Sequence, residues 1–233
     1  MKRKQLETQL EKAISILASK VDFELCSTDF SGSLNHHIIY RRKTGTTTFF
    51  LHLRIMTPNF LKLQVLFYAS DDIIDGFYES ESENITTLPL RMINLDIDDY
   101  RNTEAKEKRQ HFYITDDSGY IGVNIPVMAE KVFDRYFVFA HEELIPKLNN
   151  SPKMEAGINC SDNFRNNEMD LSPFCYPIQN QALAGVALAS ICKKSNYREV
   201  LLNYLNYCKN DFEKGEDESI DRIVAYLDHE LSQ

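Results

Sequence analysis

No apolar run in this chain of 233 residues is long enough to cross a bilayer. The longest, Ala182 to Ile191, is ten residues interrupted by Gly185 and Ser190, against the roughly 20 that a spanning helix needs. It reads as a buried helix. The basic start, Met1-Lys2-Arg3-Lys4, passes straight into Gln5-Leu6-Glu7, so no secretory signal is expected. Cysteine is scarce: five residues, an odd number, with no C-x-x-C pair. That argues against a disulfide frame or a zinc site and for reduced thiols in the cytoplasm, where the sequons at Asn84, Asn149 and Asn159 carry no meaning. Positive charge is short as well: 26 Lys and Arg against 35 Asp and Glu leave a net charge of −9. Broad nucleic-acid or anionic-membrane binding is thereby disfavoured, because both require phosphate to be neutralised.

Familiar catalytic signatures are also missing. No G-x-S-x-G, G-x-x-x-x-G-K-S/T or G-x-G-x-x-G occurs, and Gly119-Tyr120-Ile121-Gly122 is only a turn. His141-Glu142-Glu143 is not H-E-x-x-H, since the fifth position is Ile145. His36 and His37 adjoin, so on a strand they point to opposite faces and share no metal. Asp71-Asp72-Ile73-Ile74-Asp75-Gly76 starts like a calcium loop, yet Ile73 and Ser82 stand where the third and twelfth ligands belong. Asp96, Asp98 and Asp99 with Glu104-Ala105-Lys106 have the spacing of metal-dependent nucleases, in which carboxylates hold magnesium and Lys positions water. That chemistry needs Glu-x-Lys on a core strand, whereas here it lies in the polar stretch Tyr100 to Gln110. Among the thiols, Cys160 and Cys175 fall in irregular sequence and are better nucleophile candidates than Cys192 and Cys208 on apolar helix faces. No catalytic residue, metal ligand set or cofactor is predicted.

What the chain does have is an uneven charge. Residues 1–43 hold eight Lys and Arg against five Asp and Glu; residues 55–100 hold two, Lys62 and Arg91, against nine. The nine are Asp71, Asp72, Asp75, Glu79, Glu81, Glu83, Asp96, Asp98 and Asp99.

The periodicities predict an α+β fold. Residues 2–20 form an amphipathic helix with Leu6, Leu10, Ala13, Ile14 and Leu17 on one face. A short strand follows at Asp22 to Ser27, then His36 to Arg42, Thr46 to Met56 and Leu61 to Ala69 make an antiparallel meander. Phe49, Leu51, Leu53 and Ile55, then Leu61, Leu63, Val65 and Phe67, alternate with more polar neighbours and should face the core. Further strands are expected at Arg91 to Ile97, His111 to Thr115 and Tyr120 to Ile125, the last two joined by a turn at Asp117-Ser118-Gly119, for about six in all. A helix near 127–147 and the N-terminal helix should cover one face of this sheet. The domain reading is a sheet domain over 1–148, an irregular connection over 149–177, and a helical segment over 178–233. The last comprises helices at Ile178 to Cys192, Tyr197 to Cys208 and Glu216 to Leu231.

These features point to an acidic cytoplasmic interaction protein with a basic protein partner, most concretely an immunity or inhibitor protein that covers a basic toxin domain such as a nuclease. The nine carboxylates above are the expected contact. The alternatives are a metal-dependent hydrolase using Asp96, Asp98, Asp99 and Glu104, and a nucleic-acid-binding module using Lys2, Arg3, Lys4, Arg41, Arg42 and Lys43.

Overall fold

The computed structural model describes residues 2–29, 35–56, 61–77, 93–99, 112–115, 119–159, 178–211 and 218–233. The chain divides into two compact units, the first made of Met1–Thr44, Thr48–Tyr68 and Leu95–Pro146, the second of Gly45–Thr47, Ala69–Asn94 and Lys147–Gln233.

In the first unit, helix α1 (Arg3–Ala18) buries Leu6, Leu10, Ile14 and Ala18, a fourfold repeat that keeps one stripe against the core. Its three large apolar side chains contribute roughly 5 to 9 kcal/mol of transfer free energy as an upper estimate. The helix ends where Ser19 Oγ donates to the Ile16 carbonyl (2.8 Å) and Asp22 takes a left-handed conformation, φ 61°. Phe23 then turns inward and meets Phe137 edge-on, with ring centroids 5.5 Å apart.

The sheet follows the order β1 (Glu24–Asp29), β2 (Asn35–Thr44), β3 (Thr47–Met56), β4 (Lys62–Asp71), β5 (Ile93–Asp96), with β6 (Phe112–Tyr113) also beside β4. It is antiparallel. Gly45 makes the β2–β3 turn at φ 63°, a conformation that a side chain would strain. Phe49, Leu51, Leu53 and Ile55 are buried, as are Leu61, Leu63, Val65 and Phe67, so the alternation assigns the core face correctly. His36 is fully buried on that face while His37 lies on the other.

The second cover is α3, a helical rod built from Ile125–Val132, Phe133–Val138, Ala140–Leu144 and Ile145–Leu148, of which the middle two are wider π-type turns. It packs on α1, and Phe137 meets Tyr40 of β2 at 5.0 Å between centroids. Asn124 caps it by accepting from the Val127 N–H (3.3 Å), with Pro126 in the first turn. The strand expected at Tyr120 to Ile125 is therefore not formed. Gly119–Ile121 is a 3₁₀ turn, and Asn124 starts the helix instead.

In the second unit, α2 (Asp72–Phe77), α4 (Ser151–Ile158), α6 (Tyr197–Asp211) and α7 (Glu218–Ser232) all contact α5 (Ile178–Ile191). Leu183 to Ala189 of α5 are buried with few polar interruptions, the central position its composition predicts. Ser151–Ile158 corrects the expectation of an irregular connection across 149–177: Asn150 accepts from the Lys153 N–H (3.0 Å) and Pro152 occupies the first turn, so loop-like residues serve as a helix start. Residues 160–177, with Cys160 and Cys175, lie outside the described residues. Gly185 permits a close approach in this unit. A Cβ there would collide with the Tyr204 ring and the Asn159 carboxamide, which are themselves joined by a 2.9 Å hydrogen bond from Tyr204 Oη. Among the described residues, no helix is long and apolar enough to cross a membrane.

Candidate functional site

The acidic residues singled out by sequence belong to different units and play different parts. In the first unit, Asp98 is only 4% exposed and accepts from Arg135 Nε (2.8 Å) and Tyr136 Oη (2.8 Å), while Arg135 Nη2 stands 2.7 Å from the same carboxylate. Burial first, then the Asp98 charge, pushes the Tyr136 hydroxyl well above its usual range, so it donates as a neutral phenol. Asp96 is half-buried and accepts from Gln64 Nε2 (2.8 Å) and from the N–H groups of Asp98 (3.0 Å) and Asp99 (3.3 Å). Burial raises its pKa, with the neighbouring charges of Asp99 and Asp98 adding to the effect. These carboxylates are occupied by a guanidinium, an amide and a turn of backbone. Magnesium coordination by Asp96 and Asp98 would have to compete with those partners. Glu104 and Lys106 lie outside the described residues.

In the second unit, Asp71 is 1% exposed. It accepts from Thr46 Oγ1 (2.9 Å), Thr47 Oγ1 (2.7 Å) and the Ile73 N–H (3.0 Å), capping α2. Asp71 and Asp98 are consequently not surface carboxylates, contrary to their place in the expected contact. Asp72 is exposed, Asp75 and Asp99 are half-exposed, and Glu79, Glu81 and Glu83 lie outside the described residues.

The basic residues of the first unit are similarly engaged. Arg3 Nε bonds Glu7 (2.7 Å), Arg41 Nε bonds Glu24 (2.8 Å), and Arg42 donates to the Val21 carbonyl (3.2 Å) and His141 Nδ1. Lys2, Lys4 and Lys43 are exposed. Three of the six cations thus already have a partner within the chain.

Two histidine arrangements are new to the structure. His36 is fully buried with Glu7 Oε2 3.9 Å from Nδ1 and Glu11 Oε2 3.5 Å from Nε2. The carboxylates flank opposite sides of the ring, so the three groups do not converge on one ion. Burial, the largest influence, lowers the His36 pKa and raises that of Glu11. On the opposite face of the sheet, His37 Nδ1 and His52 Nε2 are 2.9 Å apart across β2 and β3. Among the described residues, no group of three or more His, Cys, Asp or Glu is arranged to hold a metal.

The short strand expected at Asp22 to Ser27 forms as β1, and what sequence reasoning missed is its place at the sheet edge. Among the described strands it ends the sheet, its outer edge is unpaired, and all six of its residues are exposed. Leu25 and Thr28 pair with Tyr40 and Ile38, which point to the core, whereas Glu24, Ser27 and Asp29 pair with Arg41, Ile39 and His37. Cross-strand partners share a face. Five positions apart, Glu24 and Asp29 would project to opposite faces of a regular strand; the register shift between Leu25 and Ser27, which inserts Cys26, brings both carboxylates to one face. Asp22, 80% exposed, precedes them. A strand without apolar alternation is the signature of an edge, and the run Glu24-Leu25-Cys26-Ser27-Thr28-Asp29 carries it. Along α3 of the same unit, Glu130, Asp134, Glu142 and Glu143 are also exposed.

Comparison with protein-family models, with curated proteins and with solved structures finds no match in any of the three.

Proposed function

We propose that this is an acidic protein-interaction protein acting in the cytoplasm, most concretely an immunity or inhibitor protein that neutralises a basic toxin domain by binding it. One observation carries the reading: the acid-bearing edge of the first unit at Asp22, Glu24 and Asp29, which no described strand pairs and on which Asp22 and Glu24 stand 3.8 Å and 2.8 Å from Arg42 and Arg41. Carboxylates in that setting attract a cationic partner over about 8 to 10 Å at ordinary salt and speed its encounter. The free thiols of Cys26, Cys192 and Cys208 suit a reducing compartment. Asp72, Asp75 and Asp99 remain as secondary contacts, while Asp71 and Asp96 hold their own turns and Asp98 is engaged by Arg135 and Tyr136.

The test is affinity capture from the native host at low salt, followed by assay of the captured protein with and without a stoichiometric amount of this one. The reading expects a basic partner whose activity is blocked and whose capture weakens steeply with salt. Captured proteins that are acidic, or that stay fully active in the complex, would overturn it.

A further inference from the structure

We infer that the outer edge of β1 accepts an extended basic segment of another protein as an added strand, with Lys or Arg at two positions four residues apart on the face bearing Glu24 and Asp29. This inference rests on the interaction-protein reading and names the contact. Three observations lead to it.

First, no described strand pairs with the outer edge. Natural sheets guard such strands with Lys, Pro, bulges or a covering element. β1 has one such device, the bulge between Leu25 and Ser27, but contains no Lys and no Pro, and all its residues are exposed. Its outward N–H and C=O groups are therefore presented for pairing, the mode by which extended peptides add to sheets.

Second, the bulge sets the side-chain pattern. On the inner side, β2 answers Glu24 with Arg41 and Asp29 with His37, two residues four apart on one face. Arg41 Nε reaches Glu24 Oε1 at 2.8 Å. A regular strand on the outer side meets the same two carboxylates at the same spacing, so β2 shows the pattern an occupant would carry.

Third, β1 is a poor antiparallel partner for itself in the register that aligns its full length. An antiparallel copy of β1 centred on the Cys26–Ser27 bond would set Glu24 across from Asp29 twice, and like charges directly opposite are destabilising. A cationic strand turns both positions into favourable pairs.

Amide hydrogen exchange on the intact protein tests this. The probes are a hexapeptide of alternating threonine and valine with lysine at positions one and five, and its counterpart with glutamate there. The lysine peptide should slow exchange at alternate amides within Glu24–Asp29 and bind about tenfold more tightly than the glutamate peptide, the effect of reversing two cross-strand charge pairs. The double variant Glu24→Lys, Asp29→Lys, changed only at exposed positions, should reverse that preference. Equal binding of both peptides, or binding without protection of β1 amides, overturns the inference. So does concentration-dependent dimerisation with protection of β1 in the absence of peptide, which would assign the edge to a second copy. If the host partner is captured and inhibited equally well by the double variant, strand addition fails while the inhibitor reading stands; if no basic partner is inhibited, that broader reading fails first.

Discussion

Asp98 and Asp29 look alike in sequence, yet their replacement should separate sharply. Asp98→Ala removes a carboxylate that is 4% exposed and leaves Arg135, 27% exposed, without its anion and Tyr136 Oη buried without its acceptor. Breaking a buried ion pair costs 3 to 5 kcal/mol, and a stranded hydroxyl adds 1 to 3. Water reaching the half-exposed guanidinium lowers the total, and a loss of about 3 kcal/mol is expected. With a urea dependence of roughly 2 to 3 kcal/mol per molar for a chain of this size, the unfolding midpoint should fall by about 1 M with an unchanged slope. Asp29→Ala, on the exposed edge, should stay within about 0.5 kcal/mol. Replacing the whole group with Asp98→Leu, Arg135→Met and Tyr136→Phe should recover most of the loss, because no charge or hydroxyl is then stranded. Urea titrations followed by far-UV circular dichroism give all three values. If Asp98→Ala behaves like Asp29→Ala, the ion pair is not structural, and Asp98 becomes available to a partner or a metal after all.

Stability should also depend on pH through His36. Burial lowers its folded pKa below the ordinary value of 6.5, so the unfolded chain binds the proton first, and His36's contribution is present above pH 6.5 and lost as pH falls through the lowered value. Glu11 and Asp96, both raised, act oppositely: the folded chain binds their protons first, so they favour folding on acidification near and above pH 4 to 5. His36→Gln should therefore flatten the decline between pH 7 and 5.5, and an unchanged slope in denaturant midpoints would contradict this account. Gly185→Ala should destabilise the second unit by about 1 to 3 kcal/mol through overlap with Tyr204 and Asn159, read as a lower thermal midpoint. Asp71→Ala removes three hydrogen bonds to a buried carboxylate and should cost about 3 kcal/mol, with hydrogen exchange rising first in α2. A wild-type exchange pattern in α2 would refute the cap.

Legibility followed the range of the interactions involved. The alternation of Phe49 to Ile55 and the fourfold repeat of Leu6, Leu10 and Ile14 are local patterns, and both identify the buried face. Tyr120 to Ile125 misled because tyrosine, valine and isoleucine favour strands, whereas Asn124 within the run and Pro126 just after it start a helix. Asn150-Ser151-Pro152 misled in the converse way, being turn residues used as a cap. The site was harder to read because counting charges says nothing of their partners. Asp98 meets Arg135 37 positions away and Asp71 meets Thr47 24 positions away, pairings set by the sheet and its helices rather than by neighbours in the chain. Conversely, Glu24 and Asp29 gain a common face only through a bulge, a one-residue register shift that composition does not reveal.

The second unit is assembled from three separated stretches of chain, and that has a consequence during synthesis. α2 is six residues long and too short to hold helical form alone. α5, against which it packs, begins only at Ile178. At 5 to 20 residues per second the interval is roughly 5 to 20 s, during which Ile74, 1% exposed in the finished fold, lacks its helical partner. A nascent chain arrested near residue 148 would prolong that exposure indefinitely, so polypeptides halted there should be preferred clients of chaperones that bind short apolar segments, and release past α5 should end the association.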